Sequence, residues 1–373
     1  MQTIKMRNSN IELLRILCIL LIISFHYVFK GGFVYETFCL NEYITKIFWM
    51  FGELGVNCFM IITGYFMVQQ CFKFRKLILL WLEIQFYNIL VLFIVNRLGL
   101  SSQTATQHFI LELFPVFRDK WWFATVYLIL YLFSPFMQRF AKCMSKREYI
   151  KFLLLCLTLW SVIPTLLGIF YNTTEGFLYY TRFLWLTVIW FTGAFIRLHG
   201  MVFIRHLKVW NYIFLVVSII IFSSILFIEY LGSFFTWLGT TETAYFWRPN
   251  SIPMYILSIS LFALFLNIKL PFSKLINRAA STTLGIYLLH DSRLSEYLWN
   301  TVFKNNTHMF SPVFILHIFS ATAVLFLLGM TVDLIRQYLE RNVLLKILDF
   351  FSIKYSRRIR LKVSEVLDQL EKY

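Results

Sequence analysis

Residues 10–29 read NIELLRILCILLIISFHYVF, an apolar run interrupted by Arg15 and His26. Twenty residues at 1.5 Å each make a helix about 30 Å long, the thickness of a bilayer's hydrocarbon core. Ionisable side chains are costly at that depth and persist where they face protein, a wet cavity or one another. Arg15 and His26 are eleven positions apart, just over three turns at 3.6 residues per turn, so both project from one face about 16 Å apart along the axis. Glu12, Ile19 and Ile22 share that stripe. A cation near one end and a titratable imidazole toward the other suit a long substrate with an anionic head and a reactive group. In the plainer reading Arg15 reaches the headgroups, paired with Glu12 at i,i+3, and His26 sits in the opposite interface.

The rest of the chain has the same character. Its 373 residues are 59% hydrophobic and 20% aromatic with 14% charged, against roughly 25% charged in soluble proteins. The 42 Phe, 20 Tyr and 11 Trp run from end to end, too much apolar surface for one water-exposed fold. The net charge of +16 is spread between apolar runs rather than over one compact face, which excludes a nucleic-acid partner. Six cysteines include no C-x-x-C pair, so neither a zinc site nor a disulfide framework is indicated and no metal is expected. Lys5 and Arg7 precede the first run with no small-residue cleavage site after it, so that run reads as an uncleaved span.

Ten apolar runs can be placed, at 13–29, 48–68, 77–95, 122–138, 152–170, 183–196, 209–229, 252–268, 281–301 and 313–335. The sixth is short, and the ninth is broken by polar and charged residues after His290. With the N-terminus inside, 25 of the 35 Lys and Arg fall in inner segments, the asymmetry of the positive-inside rule. The expected fold is all-α: a polytopic membrane helix bundle of about ten transmembrane helices with both termini cytoplasmic. Residues 1–335 form the membrane domain, and 336–373 a basic amphipathic tail along the inner leaflet.

Arg15, ten intervening residues and His26 match an R/K-x(10)-H signature. Three further segments extend the match: GVNCFMIITGYF at 55–66, WFATVYLILYLFSPF at 122–136 and STTLGIYLLH at 281–290. With these four segments in order over residues 7 to about 335, the chain resembles the acyltransferase-3 family of integral membrane O-acyltransferases, which modify cell-surface polysaccharides, lipopolysaccharide or peptidoglycan. The resemblance implies ten or so spans in a bacterial cytoplasmic membrane, an acyl-coenzyme A donor (acetyl foremost, succinyl also open) and a polysaccharide or lipid-linked glycan hydroxyl as acceptor. It departs in the loop after the second span, where the family's R-x-x-R pair is replaced by Lys73, Arg75 and Lys76. Lysine keeps the charge but not the bidentate fork. The second-span serine is Thr63. Some relatives carry an esterase-like domain after the last span, and this chain is expected to need a partner for any second transfer on the outer face.

Acyl transfer to a hydroxyl needs a base or an acyl-carrying nucleophile, and histidine serves as either. His26 is the candidate. Arg15, Lys73, Arg75 and Lys76 are candidates for the donor's phosphates. Glu53, level with His26, and Glu83, level with Arg15, are acids placed to tune the imidazole or the arginine. Trp122, Tyr127, Tyr287 and His290 complete the candidate cavity, although His290 reads equally well as a bond to a neighbouring helix. The rival functions are a transporter or flippase for a lipid-linked sugar or other anion, and a non-catalytic export subunit. No internal repeat or pair of broken spans in matching halves supports transport. Oligomeric state is not legible.

Overall fold

The computed structural model describes residues 8–35, 39–100, 114–116, 118, 120–168, 181–232, 234–235 and 245–345. Among the described residues the regular structure is helical, with no strand. Lipid dictates this, because a backbone without water must close its own hydrogen bonds and a helix does so within one segment.

The helices are α1 (Ser9–Phe29), α2 (Leu40–Met67), α3 (Phe74–Arg97), α4 (Trp122–Cys143), α5 (Lys146–Leu157), α6 (Arg182–Phe195), α7 (Leu207–Gly232), α8 (Ile252–Asn267), α9 (Lys274–Ala280), α10 (Thr283–His290) and α11 (Phe314–Leu339). Single π turns at Thr158–Val162 and Ile196–Gly200 carry α5 and α6 onward, so their helical stretches run 146–168 and 182–204. Another, Glu340–Leu344, extends α11. α5 starts at a capping box, Ser145 accepting from the Glu148 amide while the Glu148 carboxylate accepts from the Ser145 amide.

Among the described residues seven helical stretches are long and apolar enough to cross a bilayer: α1, α2, α3, 146–168, 182–204, α7 and 314–343. The other three predicted spans take different forms. The fourth is the 22-residue α4 with Pro135 inside it, and the eighth is the 16-residue α8. The ninth is not one helix: α10 has eight residues, about 12 Å, and ends at His290, after which a turn leads into a π-helical stretch, Tyr297–Val302. The sixth is longer than its apolar run, because the π turn takes the helix past Arg197 to Ile204. Of the predicted basic tail, residues 346–373 lie outside the described residues.

α1 lies at the centre, packing on α2, α8, α9, α10 and α11. This is why its sequence is apolar on nearly every face, the pattern of a helix surrounded by others. Ile11, Leu14, Cys18, Ile23 and Tyr27 are fully buried. Lipid tails are as apolar as leucine, so helices in a membrane associate through close backbone packing and interhelical hydrogen bonds. α2 and α6 use both. A Cβ at Gly64 would sit 2.0 Å from the Trp190 carbonyl oxygen, and one at Gly193 would sit 2.1 Å from that of Ile61. Nearby, the buried Asn57 donates to Pro249 O at 2.8 Å and accepts from Trp185 Nε1 at 3.0 Å.

Candidate active site

A cavity of about 720 Å³ runs along one side of α1, within the roughly 300–1,000 Å³ typical of ligand sites. Glu12, Arg15, Ile19, Ile22 and His26 all line it. The helical period alone predicts this stripe, and it forms one wall. The opposite wall comes from α2 (Glu53, Phe59, Thr63, Phe66), α3 (Lys76, Leu80, Glu83) and α4 (Trp122, Tyr127, Tyr131). Thr283, Leu284 and Tyr287 of α10 close it. The middle is apolar and aromatic; the ionisable groups gather toward its two ends.

At one end His26 is buried, at 7% exposure. Its Nδ1 lies 3.0 Å from His290 Nε2, and His290 Nδ1 lies 2.6 Å from the Ile286 carbonyl oxygen. His290 is therefore a bond between α10 and α1 rather than part of the lining. Asp291 Oδ1 stands 3.6 Å from His26 Nε2 and accepts from Lys30 Nζ at 2.5 Å. Lys30 also donates to Ser295 Oγ at 3.1 Å. Asp291 and Lys30 escape the sequence reading. The signal was present, since Asp291 follows His290 directly where the ninth run turns polar. Glu53 lines the same cavity, and the Arg182 guanidinium lies 4.8 Å from the centre of the Trp122 ring.

At the other end, Arg15 Nη1 is 3.5 Å from Glu12 Oε2 and its guanidinium faces the Phe66 ring at 6.0 Å. Lys76 sits over the Tyr131 ring at 5.1 Å and lines the cavity. Lys73 and Arg75 are exposed and outside the lining. The backbone amide and carbonyl of Lys73 pair with the Tyr131 hydroxyl, each at 3.2 Å. In their place the cavity gains Arg197, a residue the sequence reading counted only as a loop charge. The π turn at Ile196–Gly200 carries it to the lining, where it donates to Tyr65 Oη and Gln69 Oε1, both at 2.9 Å.

Glu83 lines the cavity too, but its partner is Arg336, at 3.0 Å. Arg336 also holds Asp333 at 2.6 Å and Glu340 at 2.5 Å. Tyr87 Oη and Gln337 Nε2 donate to Asp333 at 2.9 and 2.8 Å. A Cβ at Gly285 would lie 2.3 Å from both Asp333 Oδ1 and Tyr87 Oη. The glycine of the STTLGIYLLH segment is thus the space in which this bond forms. Among the described residues no group of three or more His, Cys, Asp or Glu is arranged to hold a metal ion.

A family model described as an acyltransferase domain, that of acyltransferase-3, matches residues 8–332. No curated protein and no solved structure matches the chain.

Proposed function

Because this chain belongs to the acyltransferase-3 family and is a multi-pass membrane protein, we propose that it transfers an acyl group, acetyl first, from acyl-coenzyme A to a hydroxyl of a cell-surface or capsular polysaccharide, an exopolysaccharide or a lipid-linked glycan precursor. Its place is the bacterial cytoplasmic membrane, with the Arg15 end of the cavity open to the cytoplasm.

The observation that carries the reading is that one cavity is lined at one end by Arg15, Lys76 and Arg197 and at the other by His26. Coenzyme A has the matching asymmetry. Its phosphates call for cations, best supplied by arginine forks, and its thin pantetheine arm fits an apolar passage such as that between Ile19, Ile22, Phe59 and Phe66. The thioester then lies near the imidazole. His26 takes the proton of the acceptor hydroxyl as its oxygen bonds to the thioester carbonyl carbon. Collapse of that adduct breaks the carbon–sulfur bond, and the proton passes from His26 to the departing thiolate. The products are an ester and free coenzyme A.

Binding and turnover of radiolabelled acetyl-coenzyme A by the purified protein in nanodiscs test this. Removing a charge-assisted phosphate contact costs roughly 1.5–3 kcal/mol, so Arg15→Ala should weaken donor binding about 10- to 100-fold. His26→Ala should bind the donor normally and lose turnover by roughly 10²- to 10⁴-fold, the usual worth of a general base. Wild-type protein that binds neither acetyl- nor succinyl-coenzyme A would sink the proposal.

A further inference from the structure

We propose that His290 is a positioning residue that sets the tautomer of His26, placing the proton on Nδ1 and the reactive lone pair on Nε2, and that Asp291, held by Lys30, faces the charge formed when Nε2 is protonated. Naming Nε2 as the reacting atom rests on the acyl-transfer reading. The tautomer itself follows from the hydrogen bonds alone.

The Ile286 carbonyl oxygen only accepts, so at 2.6 Å the His290 Nδ1 carries a hydrogen. In a neutral imidazole that leaves His290 Nε2 with its lone pair. This lone pair points at His26 Nδ1 across 3.0 Å, so the hydrogen between the rings belongs to His26 Nδ1. A neutral pair holds two ring protons, and both are now committed. One nitrogen of the four remains bare, His26 Nε2, and a third proton on the pair lands there.

The surroundings of Nε2 fit that role. Asp291 Oδ1 is 3.6 Å away, inside ion-pair range but beyond a hydrogen bond. Were the carboxylate bonded to Nε2, it would demand a hydrogen there and reverse the tautomer, leaving no base. Lys30 occupies the same Oδ1 at 2.5 Å and is itself tied to Ser295. The negative charge is thus near Nε2 while the oxygen that carries it is engaged elsewhere. The break in the ninth apolar run acquires a purpose here. α10 stops at His290, and Asp291 leaves the helix at φ −95° and ψ 45°, so two consecutive residues reach two different nitrogens of one ring.

The test uses ring-¹⁵N-histidine protein in nanodiscs, with the seven histidines assigned by single His→Gln variants. Wild-type His26 should show a protonated Nδ1 and a bare Nε2, and in His290→Leu that fixed pattern should give way to an exchange average. In turnover, His290→Leu should lower kcat by roughly 100-fold, within the range for a displaced base, with donor binding unchanged. His290→Gln, whose amide oxygen can accept from Nδ1–H, should recover at least about tenfold of that loss. A wild-type His26 protonated on Nε2 and bare on Nδ1 overturns the inference, as do equal rates for the Leu and Gln variants. Wild-type protein with the stated tautomer but no acyl transfer defeats the proposed function and leaves the tautomer assignment standing.

Discussion

Arg336 is 7% exposed and meets three carboxylates, Glu83, Asp333 and Glu340. One guanidinium can serve three acids because its five donors are fixed in a planar fork, and lysine cannot reproduce that geometry. Truncating the cation strands the acids. Arg336→Met is therefore expected to cost about 3–5 kcal/mol, the penalty for breaking a buried ionic cluster from one side, and Arg336→Lys should restore only part of it. The half-life of donor binding at elevated temperature is the measure, and wild-type persistence in the Met variant would show that the cluster is not structural. The sequence marks Glu83 as an acid inside a span and so as noteworthy. It does not show the partner, which is 253 positions away on the last helix and reads there as one more basic residue after an apolar run. Depth can be counted along a helix, but which side chains meet at that depth depends on packing.

At the level of elements, α2 and α6 share one interface in which each glycine faces the other helix's carbonyl. Adding a methyl at Gly64 or Gly193 pushes the helices apart, an overpacking cost of typically about 1–3 kcal/mol. Arg197 rides on the π turn just beyond this contact, so Gly64→Ala should also weaken donor binding. Both substitutions act on one spacing, so the Gly64→Ala/Gly193→Ala double variant should lose clearly less than the two single losses together. Thermal stability across the four proteins measures this coupling; simple additivity would mean that the two glycines pack independently. The GVNCFMIITGYF segment makes Gly64 legible as a fixed point of the second span. Gly193 and the π turn are not legible, because a 3.6-residue period assumes an unbroken helix. One extra residue in a turn rotates everything after it, which is how Arg197 and Glu340, both in π turns, come to line the cavity unannounced.

For the whole molecule, the one-sided stripe on α1 is the feature the sequence displays most fully, since eleven residues at a constant angle fix both the face and the rise. The number of crossings is less legible: a hydrophobic run reports burial in lipid or protein but not continuity, and α10 is as apolar as a span while being only eight residues long. Which end of the cavity faces the cytoplasm decides whether a cytoplasmic donor reaches Arg15, and the native cysteines provide a probe. Cys71 and Cys143 are exposed, the first between α2 and α3 and the second at the end of α4, while Cys39 precedes α2 at its opposite end. With the N-terminus inside, as the distribution of Lys and Arg argues, α2 descends, α3 ascends and α4 descends again, so Cys71 and Cys143 share the cytoplasmic side with Lys76. Single-cysteine variants in right-side-out vesicles should then react with a membrane-impermeant maleimide at Cys39 directly, and at Cys71 and Cys143 only after permeabilisation. The reverse pattern would turn the Arg15 end outward, where coenzyme A is absent, and would end the proposed donor route. Labelling of Cys71 and Cys143 from different sides would remove α3 or α4 as a crossing helix and with it one wall of the cavity.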